Sequence, residues 1–394
     1  MKKTLKDYNF KNKRVLIRVD FNVPLENGVV ADNTRINAAL PTIKFLINEG
    51  AKLILMSHLG RPKGEVIDSL RMDPVAKELA NLLRKEVIKV DDCIGEEVHK
   101  AISQLASGEL MLLENTRFYK EEKTNDKEFS KKLAELADIY VNDAFGAAHR
   151  AHASTVGVAE FLPSAAGFLM KRELNVLGEV VESPEHPFVA IMGGAKVSDK
   201  IGVIKNILGK IDYLLLGGGI ANTFLSARGY NMEKSLVESE KLDLAREVLG
   251  DAEDKGVTIV LPEDMIAASE FKEDADTKIV TADNIPEGWQ VLDSGGPLTL
   301  DEFATVLNKA KTVIWNGPIG VFEYEKFATG TNKLAEILSS SDARTIIGGG
   351  DSTAAIKKAG LEDNIYHIST GGGASLQFLE GKALPGVEAI DDLK

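Results

Sequence analysis

Cysteine is almost missing from this chain: Cys93 is the single thiol among 394 residues. No internal disulfide can form, a reducing compartment is expected, and the lone thiol reads as a small core hydrophobe rather than a nucleophile. Long apolar runs are missing too. None approaches the roughly 20 residues that span a bilayer. The opening stretch MKKTLKDYNFKNKR has early lysines without an apolar segment behind them, so it does not read as a secretory signal, and a cytoplasmic protein is expected. Positive charge is scarce: the net charge is −13, with 27 Lys and Arg against 27 Asp and Glu in residues 1–183, and 20 against 33 in residues 184–394. No broad basic face follows, which excludes nucleic acid as the expected partner. If the acidic half holds a nucleotide, local donors, lysines and a divalent cation must do it against the overall field. The common phosphate fingerprints fail as well. There is no G-x-x-x-x-G-K-[ST] loop, and the three G-x-G triplets at 217, 348 and 371 have Asn222, Thr353 and Leu376 where a third glycine belongs. Protein-kinase H-R-D and D-F-G motifs, zinc-spaced Cys and His, and repeats of fixed 20–50-residue period are likewise lacking.

What is present is an ordinary globular composition, 44% apolar and 27% charged. At about 150 residues per domain, the length suggests two or three domains, each half long enough to bury a core. Apolar runs at 13–19, 51–58 and 110–115 read as strands. They alternate with helical periodicity at 33–50, 73–85 and 125–137, the βα pattern of a parallel doubly wound sheet. Residues 165–181 read as a long helix. Glu182-Ser183-Pro184-Glu185-His186-Pro187 ends it and marks a domain boundary. A second series then follows in PFVAIM, DYLLLG, VTIVLP, KTVIWN, RTIIGG and NIYHIS. The tail GKALPGVEAI, partly apolar, is expected to pack back on a domain surface that the sequence leaves open.

The strand ends differ between the halves. In the first they break into Asp20, Asn22, His58, Arg61, Arg117, His149, Arg150 and His152, with Arg35 close by. One arginine is usually a surface ion pair, and one histidine is usually structural. Four arginines at one sheet rim suit a small ligand bearing carboxylate and phosphate, because guanidinium pairs bidentately with both. Asp20 and Asn22 then accept from a hydroxyl and orient neighbouring arginines. In the second half the strands break into glycine. Gly193-Gly194-Ala195-Lys196-Val197-Ser198-Asp199-Lys200 has two lysines near a helix start, which Ser198 can cap; alone it could be a tight turn with solvated lysines. Gly348-Gly349-Gly350-Asp351-Ser352 opens another helix, with Asp351 either its N-cap or a ligand of Mg²⁺ beside a phosphate. The run Gly371-Gly372-Gly373 costs conformational entropy, and a nest of N–H groups around an anion accounts for it. Ligands of open α/β sheets bind outside the carboxyl ends of the strands. Three such loops on one sheet therefore indicate a polyphosphate.

The stretches RVDFNVP (18–24), SHLGRP (57–62), LLENTRF (112–118), NDAFGAAHRAH (142–152), GGAKVSDK (193–200), LLLGGG (214–219), WNGPIGVFE (315–323), GGGDS (348–352) and STGGGAS (369–375) together resemble the phosphoglycerate kinase family along nearly the whole chain. The resemblance implies an α/β fold of two doubly wound parallel-sheet (Rossmann-like) domains joined by a helix, with a cleft between them and a hinge motion that closes it. Residues 1–165 with the tail 381–394 would hold 3-phosphoglycerate or 1,3-bisphosphoglycerate. Residues 166–183 would link and hinge, and 184–380 would hold Mg-ADP or Mg-ATP. By motif, Asp20, Phe21, Asn22, Arg35, His58, Leu59, Gly60, Arg61, Arg117 and Arg150 would contact the acid. Lys200, Gly217, Gly218, Asn316, Pro318, Glu323, Gly349, Gly350, Asp351, Ser352, Gly371 and Gly372 would surround the nucleotide, with Asp351 on the metal. Arg35, Lys196, Gly350 and Gly373 would be catalytic. The stretch 288–297 departs from the family's usual run, carrying Val291 in the nucleotide pocket where a small residue is usual. A monomer is expected.

The implied reaction needs charge cancellation rather than proton transfer. A carboxylate acceptor, with a pKa near 3.5–4, is already ionised at neutral pH, and the sequence supplies no obvious general base. Two other readings compete. A non-catalytic two-lobed anion or nucleotide sensor explains the arginines but not Lys196 beside three phosphate-type loops. A sugar-phosphate isomerase or dehydrogenase lacks its dinucleotide fingerprint and acid–base pair.

Overall fold

The computed structural model describes residues 1–393, which divide into two units: 1–175 with 383–393, and Val176–Lys382. The first carries a six-stranded sheet of β1 (Arg14–Arg18), β2 (Lys52–Met56), β3 (Ile88–Lys89), β4 (Leu110–Leu112), β5 (Ile139–Asn142) and β6 (Ser164–Ala166). Their order is β3-β4-β2-β1-β5-β6, and every pair is parallel. Side chains alternate strictly between two cores. Val15, Ile17, Leu53, Leu55 and Val141 enter one, while Leu16, Ile54, Met56, Met111 and Tyr140 enter the other. A parallel sheet covered on both faces reads in sequence as unbroken apolar runs, because neither face meets water.

The second unit has β7 (Phe188–Met192), β8 (Tyr213–Leu216), β9 (Thr258–Val260), β10 (Thr312–Asn316), β11 (Arg344–Gly348) and β12 (His367–Ile368). They are ordered β9-β8-β7-β10-β11-β12 and all parallel. Within this sheet the order is that of a doubly wound dinucleotide-type fold, whose strand order reverses between β7 and β10. A three-stranded antiparallel sheet, Thr277–Thr281 against Asp264–Ala268 against Gln290–Asp293, accompanies it and was not expected from the sequence. Among the described residues no helix is long and apolar enough to cross a membrane.

Several local expectations need correction. The helix expected over 125–137 is shorter, Lys127–Ala134, and a separate turn of helix, Lys120–Thr124, precedes it. Asn125 adopts a left-handed conformation at φ 53°, and the Asp126 side chain caps the longer helix by accepting from the Phe129 N–H at 2.9 Å. The helix expected from 165 begins at Phe168, because Ser164–Ala166 joins the sheet beside β5. It ends at Glu182, and the boundary between the units falls inside it, after Asn175. Its first turn is fastened to the first unit: Phe168 N–H donates to Thr42 Oγ1, Leu169 and Met170 N–H donate to Asp143 Oδ1, and Phe168 packs edge-on to Phe45. The segment expected to link the units, 166–183, thus holds a helix that crosses from one unit into the other. The tail, left open by the sequence, lies on the first unit. Asn142 Nδ2 donates to the Gly386 carbonyl at 3.0 Å, and Asp391 accepts from Tyr8.

Asp143 is fully buried, and its second oxygen has no hydrogen-bond partner among the described residues. Burial raises its pKa to about 7, against the lowering effect of its Thr42, Met170 and Leu169 donors. A carboxyl raised above its unfolded value near 4 stabilises the fold when protonated, and that stability is lost as pH rises from about 4 to 7. Relative to Asp143→Asn, the wild type should lose up to about 4 kcal/mol across that window and nothing further above it. Denaturant titrations of both proteins at several pH values check this, and a pH-independent difference would contradict it.

Candidate active site

At the carboxyl edge of the first sheet the loops after β1, β2 and β4 are laced together. Asp20 Oδ2 takes the Arg35 guanidinium at 2.8 Å, fixing that side chain on the first turn of the helix Thr34–Asn48. Asn22 Oδ1 accepts from Gly60 N–H at 2.8 Å, so Asn22 holds the β2 loop rather than an arginine. Phe21 N–H donates to Ser57 Oγ. Asn115, capping a short turn, accepts from Leu59 and Arg117 N–H and donates to the Leu59 carbonyl. Arg117 Nη1 binds the Gly60 carbonyl at 2.8 Å, while its buried Nε has no partner among the described residues. Arg150 donates from Nε to His149 Nε2. Arg61 is exposed on the β2 loop.

Sequence reasoning missed the centre of this rim. Arg18, the last residue of β1, is fully buried. Its Nε donates to Ser154 Oγ at 2.8 Å, another nitrogen reaches the Val19 carbonyl, and Nη2 meets His58 Nδ1 at 2.9 Å. Ser154 Oγ passes the chain on to the buried Glu122 at 2.6 Å. Guanidinium only donates, so His58 Nδ1 accepts and its proton sits on Nε2, which leaves an N–H donor on that nitrogen. Burial first, then the charges of Arg18, Arg117, Arg35 and Arg150, hold the His58 pKa well below the ordinary imidazole range. His152 is pushed down to about 3 by burial and the same arginines apart from Arg35, with Lys123 adding to them. Burial, with Arg150 and Arg18, lowers Arg117 to about 10, which leaves it charged at neutral pH. Arg18 thus touches a neutral imidazole, and the charges of Arg117, Arg35 and Arg150 are felt at the same ring. Such a rim attracts anions, and its histidines His58 and His152 are held neutral and weakly basic.

At the carboxyl edge of the second sheet, the glycines divide into two kinds. A Cβ on Gly193 would lie 2.2 Å from the Pro318 carbonyl oxygen, and one on Gly317 would lie 2.2 Å from that of Gly193. These glycines pack the β7 and β10 loops backbone to backbone where the strand order reverses. Gly217 is similarly closed off by Ile319, and Gly218 by Gly194. Gly194, Gly350 and Gly372 instead face open space within 4 Å, as a backbone approached by a ligand must. Gly350 and Gly373 begin the helices Gly350–Ala359 and Gly373–Leu379, with Gly349 and Gly372 as N-caps. Asp351 therefore lies inside its helix and is not the cap. Ser198 does not cap either. Its hydroxyl donates to Glu238, and the helix Ile201–Ile207 begins after Lys200. Ser352 Oγ is buried and accepts from Gly317 N–H at 2.6 Å, and Gly371 N–H donates to Ser369 Oγ.

Lys196 is exposed and makes no hydrogen bond among the described residues. Lys200 binds Asn316 Oδ1, whose buried Nδ2 has no partner among the described residues. Burial lowers the Lys200 pKa, partly countered by Asp199, Asp351 and Glu380. Val291 is buried in the antiparallel sheet with its N–H on Ser235 Oγ, and Glu323 is exposed after β10. No three metal-ligating side chains cluster among the described residues. Asp351, an exposed carboxylate whose charge is felt by Lys200, suits Mg²⁺, which takes one or two carboxylates and completes its shell with phosphates and water.

Guanidinium groups on one doubly wound sheet and lysines, glycine loops and helix N-termini on the other place the chain among two-lobed α/β proteins that handle phosphorylated ligands. The family model described as phosphoglycerate kinase matches residues 5–382. Phosphoglycerate kinase of Moorella thermoacetica is 59% identical over 391 residues, covering 99% of both chains, and that of Dictyoglomus turgidum is 58% identical over 389 residues, covering 98% of both. The solved structure of phosphoglycerate kinase from Coxiella burnetii superposes with a TM-score of 0.89 at 43% identity, covering 99% of this chain and 98% of the other. That from Pyrococcus horikoshii OT3 gives 0.86 at 35% identity, covering 98% of each. The chain belongs to the phosphoglycerate kinase family.

Proposed function

We propose that the chain catalyses reversible phosphoryl transfer between 1,3-bisphosphoglycerate and ADP, giving 3-phosphoglycerate and ATP, in glycolysis and gluconeogenesis. The observation that carries this reading is the laced rim at the carboxyl edge of a parallel sheet, where Asp20 holds Arg35, Arg117 binds the Gly60 carbonyl and Arg18 meets a neutral His58 that also feels the charges of Arg117, Arg35 and Arg150. Arg35, Arg117 and Arg150, joined by Arg61, His58 and Asn22, bind the phosphate and carboxylate of the acid. Asp20 keeps Arg35 oriented, and Phe21, Leu59 and Gly60 shape the loop. On the other lobe, Lys200 and the loops carrying Gly349, Gly350, Gly371 and Gly372 take the nucleotide phosphates, with Gly350 and Gly372 open to a ligand. Gly217, Gly218, Val291, Asn316, Pro318 and Glu323 form the nucleoside side of the pocket, with Ser352 tying the loops beneath it. Asp351 holds Mg²⁺, which offsets phosphate charge.

Transfer runs through a loose transition state whose charge spreads over the equatorial oxygens, so catalysis rests on positioning and electrostatics. The acceptor carboxylate arrives ionised, and the nearby histidines stay neutral, so no proton need move. Lys196 and Arg35 cancel the developing charge, and Gly350 and Gly373 add backbone donors. The two ligands start on separate lobes, so turnover includes a hinge-bending closure that brings them together and expels water. The protein works as a cytoplasmic monomer on small molecules, independent of nucleic acid and membrane.

A coupled assay for ADP production from ATP and 3-phosphoglycerate tests the reading. Turnover that depends on the acid supports it, and ATP consumption indifferent to the acid, or none, removes it.

A further inference from the structure

The loop bearing Lys196 is held by a side chain that the reaction itself does not use. Glu238 lies 40 residues further along and is only 8% exposed. Its carboxylate accepts from Ser198 N–H at 2.9 Å and from the Ser198 hydroxyl at 2.7 Å. Burial pushes its pKa up, but those donors, the Val197 N–H and the Lys196 charge outweigh burial and bring the group below its ordinary value. It is therefore ionised at neutral pH, and charge-assisted bonds of this kind are the stronger class. Glu238 is anchored in turn. Its own N–H donates to Thr223 Oγ1 at 3.2 Å, and that hydroxyl donates to the Gly219 carbonyl at 2.9 Å, within the helix Gly218–Ala227. On the other side of Lys196, the Ala195 carbonyl oxygen lies 2.2 Å from where a Cβ on Gly219 would stand. The backbone of Lys196 is thus gripped on both flanks against one helix, while its side chain stays free.

We propose that Glu238 is a positioning residue for phosphoryl transfer, fixing the Val197–Ser198 turn so that Lys196 is presented to the transferring group at one repeatable position. The inference rests on the role given to Lys196 above. A long flexible ammonium gains catalytic value only if its backbone origin is fixed. Misplacement by about 1 Å can cost up to a hundredfold in rate. Glu238→Gln keeps the shape but loses the charge, leaving one acceptor for the N–H groups and a new NH2 that the Ser198 hydroxyl must turn to accept from.

The test is steady-state kinetics of Glu238→Gln, Ser198→Ala and Lys196→Ala, and of each of the first two combined with Lys196→Ala. Glu238→Gln should lower kcat by more than about threefold, and by up to about a hundredfold, with KM for either substrate shifting less. On the Lys196→Ala background it should cost a smaller factor, because the group it positions is gone. A kcat within about threefold of wild type, or an equal factor on both backgrounds, overturns the proposal. A residue that merely stabilised the fold would give that equal factor. Should Glu238→Gln not fold, Ser198→Ala, which removes one donor and leaves the buried carboxylate paired, is judged by the same comparison of backgrounds. A wild-type chain without phosphoryl transfer removes the functional reading and this inference together. An active wild type with an indifferent clamp removes the inference alone.

Discussion

Lys196→Ala and Arg35→Ala are each expected to lower kcat by about a hundredfold or more while changing nucleotide affinity far less. The physical reason is differential binding: a cation that meets charge only as it develops stabilises the transition state more than the bound substrates. Loss of one such donor costs about 3–4 kcal/mol. Lys196 is suited to this because it is exposed and unpaired among the described residues, with nothing to break before it reaches a phosphoryl oxygen. Arg35 is suited for a different reason. Asp20 holds one guanidinium nitrogen at 2.8 Å and leaves the rest of the fork to a ligand. Arg35→Lys should recover little, because a point charge cannot reproduce a bidentate fork. Steady-state rates together with calorimetric nucleotide affinities check both. Near-wild-type turnover in either alanine variant would remove that residue from the mechanism.

The largest expected effect on stability belongs to Arg18→Met. Arg18 is fully buried and linked through Ser154 to the fully buried Glu122. Removing one charge of a buried network leaves the other uncompensated, at a cost of about 3–5 kcal/mol. For a unit of this size that lowers Tm by roughly 10 °C. Glu122→Gln added to Arg18→Met should recover part of the loss, since it removes the stranded charge while keeping a hydrogen-bonding side chain. The same variant releases His58 Nδ1, so nitrogen chemical shifts should show mixed tautomers where the wild type shows the Nε2–H form. Scanning calorimetry of the single and double variants decides the matter. A Tm unchanged by Arg18→Met, or lowered further by the second substitution, would show that the network is not coupled as its geometry implies.

The strands were legible because parallel sheets buried on both faces leave continuous apolar runs, and the two kinds of strand end were legible because they follow those runs directly. The antiparallel strand Thr277–Thr281 left no such trace, since four of its five residues are exposed. Arg18 escaped notice because it completes an apolar strand and looks like a residue turned to solvent. Its partner Ser154 is 136 residues away, and nothing local announces that pairing. The glycines show the same limit. Gly193 stood in a loop expected to let a phosphate approach, yet it and Gly317 are each required by the other's backbone.

By itself, the sequence determined the class of fold, the placement of arginines on one sheet edge and glycines on the other, and the family, because periodicity and motif are local properties of the chain. Only the tertiary structure decided which cations converge, which glycines yield room to a ligand and which carboxylates are buried, as at Asp143, Glu122 and Glu238. Those outcomes depend on desolvation and close approach, which arise only when segments far apart in the chain pack against one another.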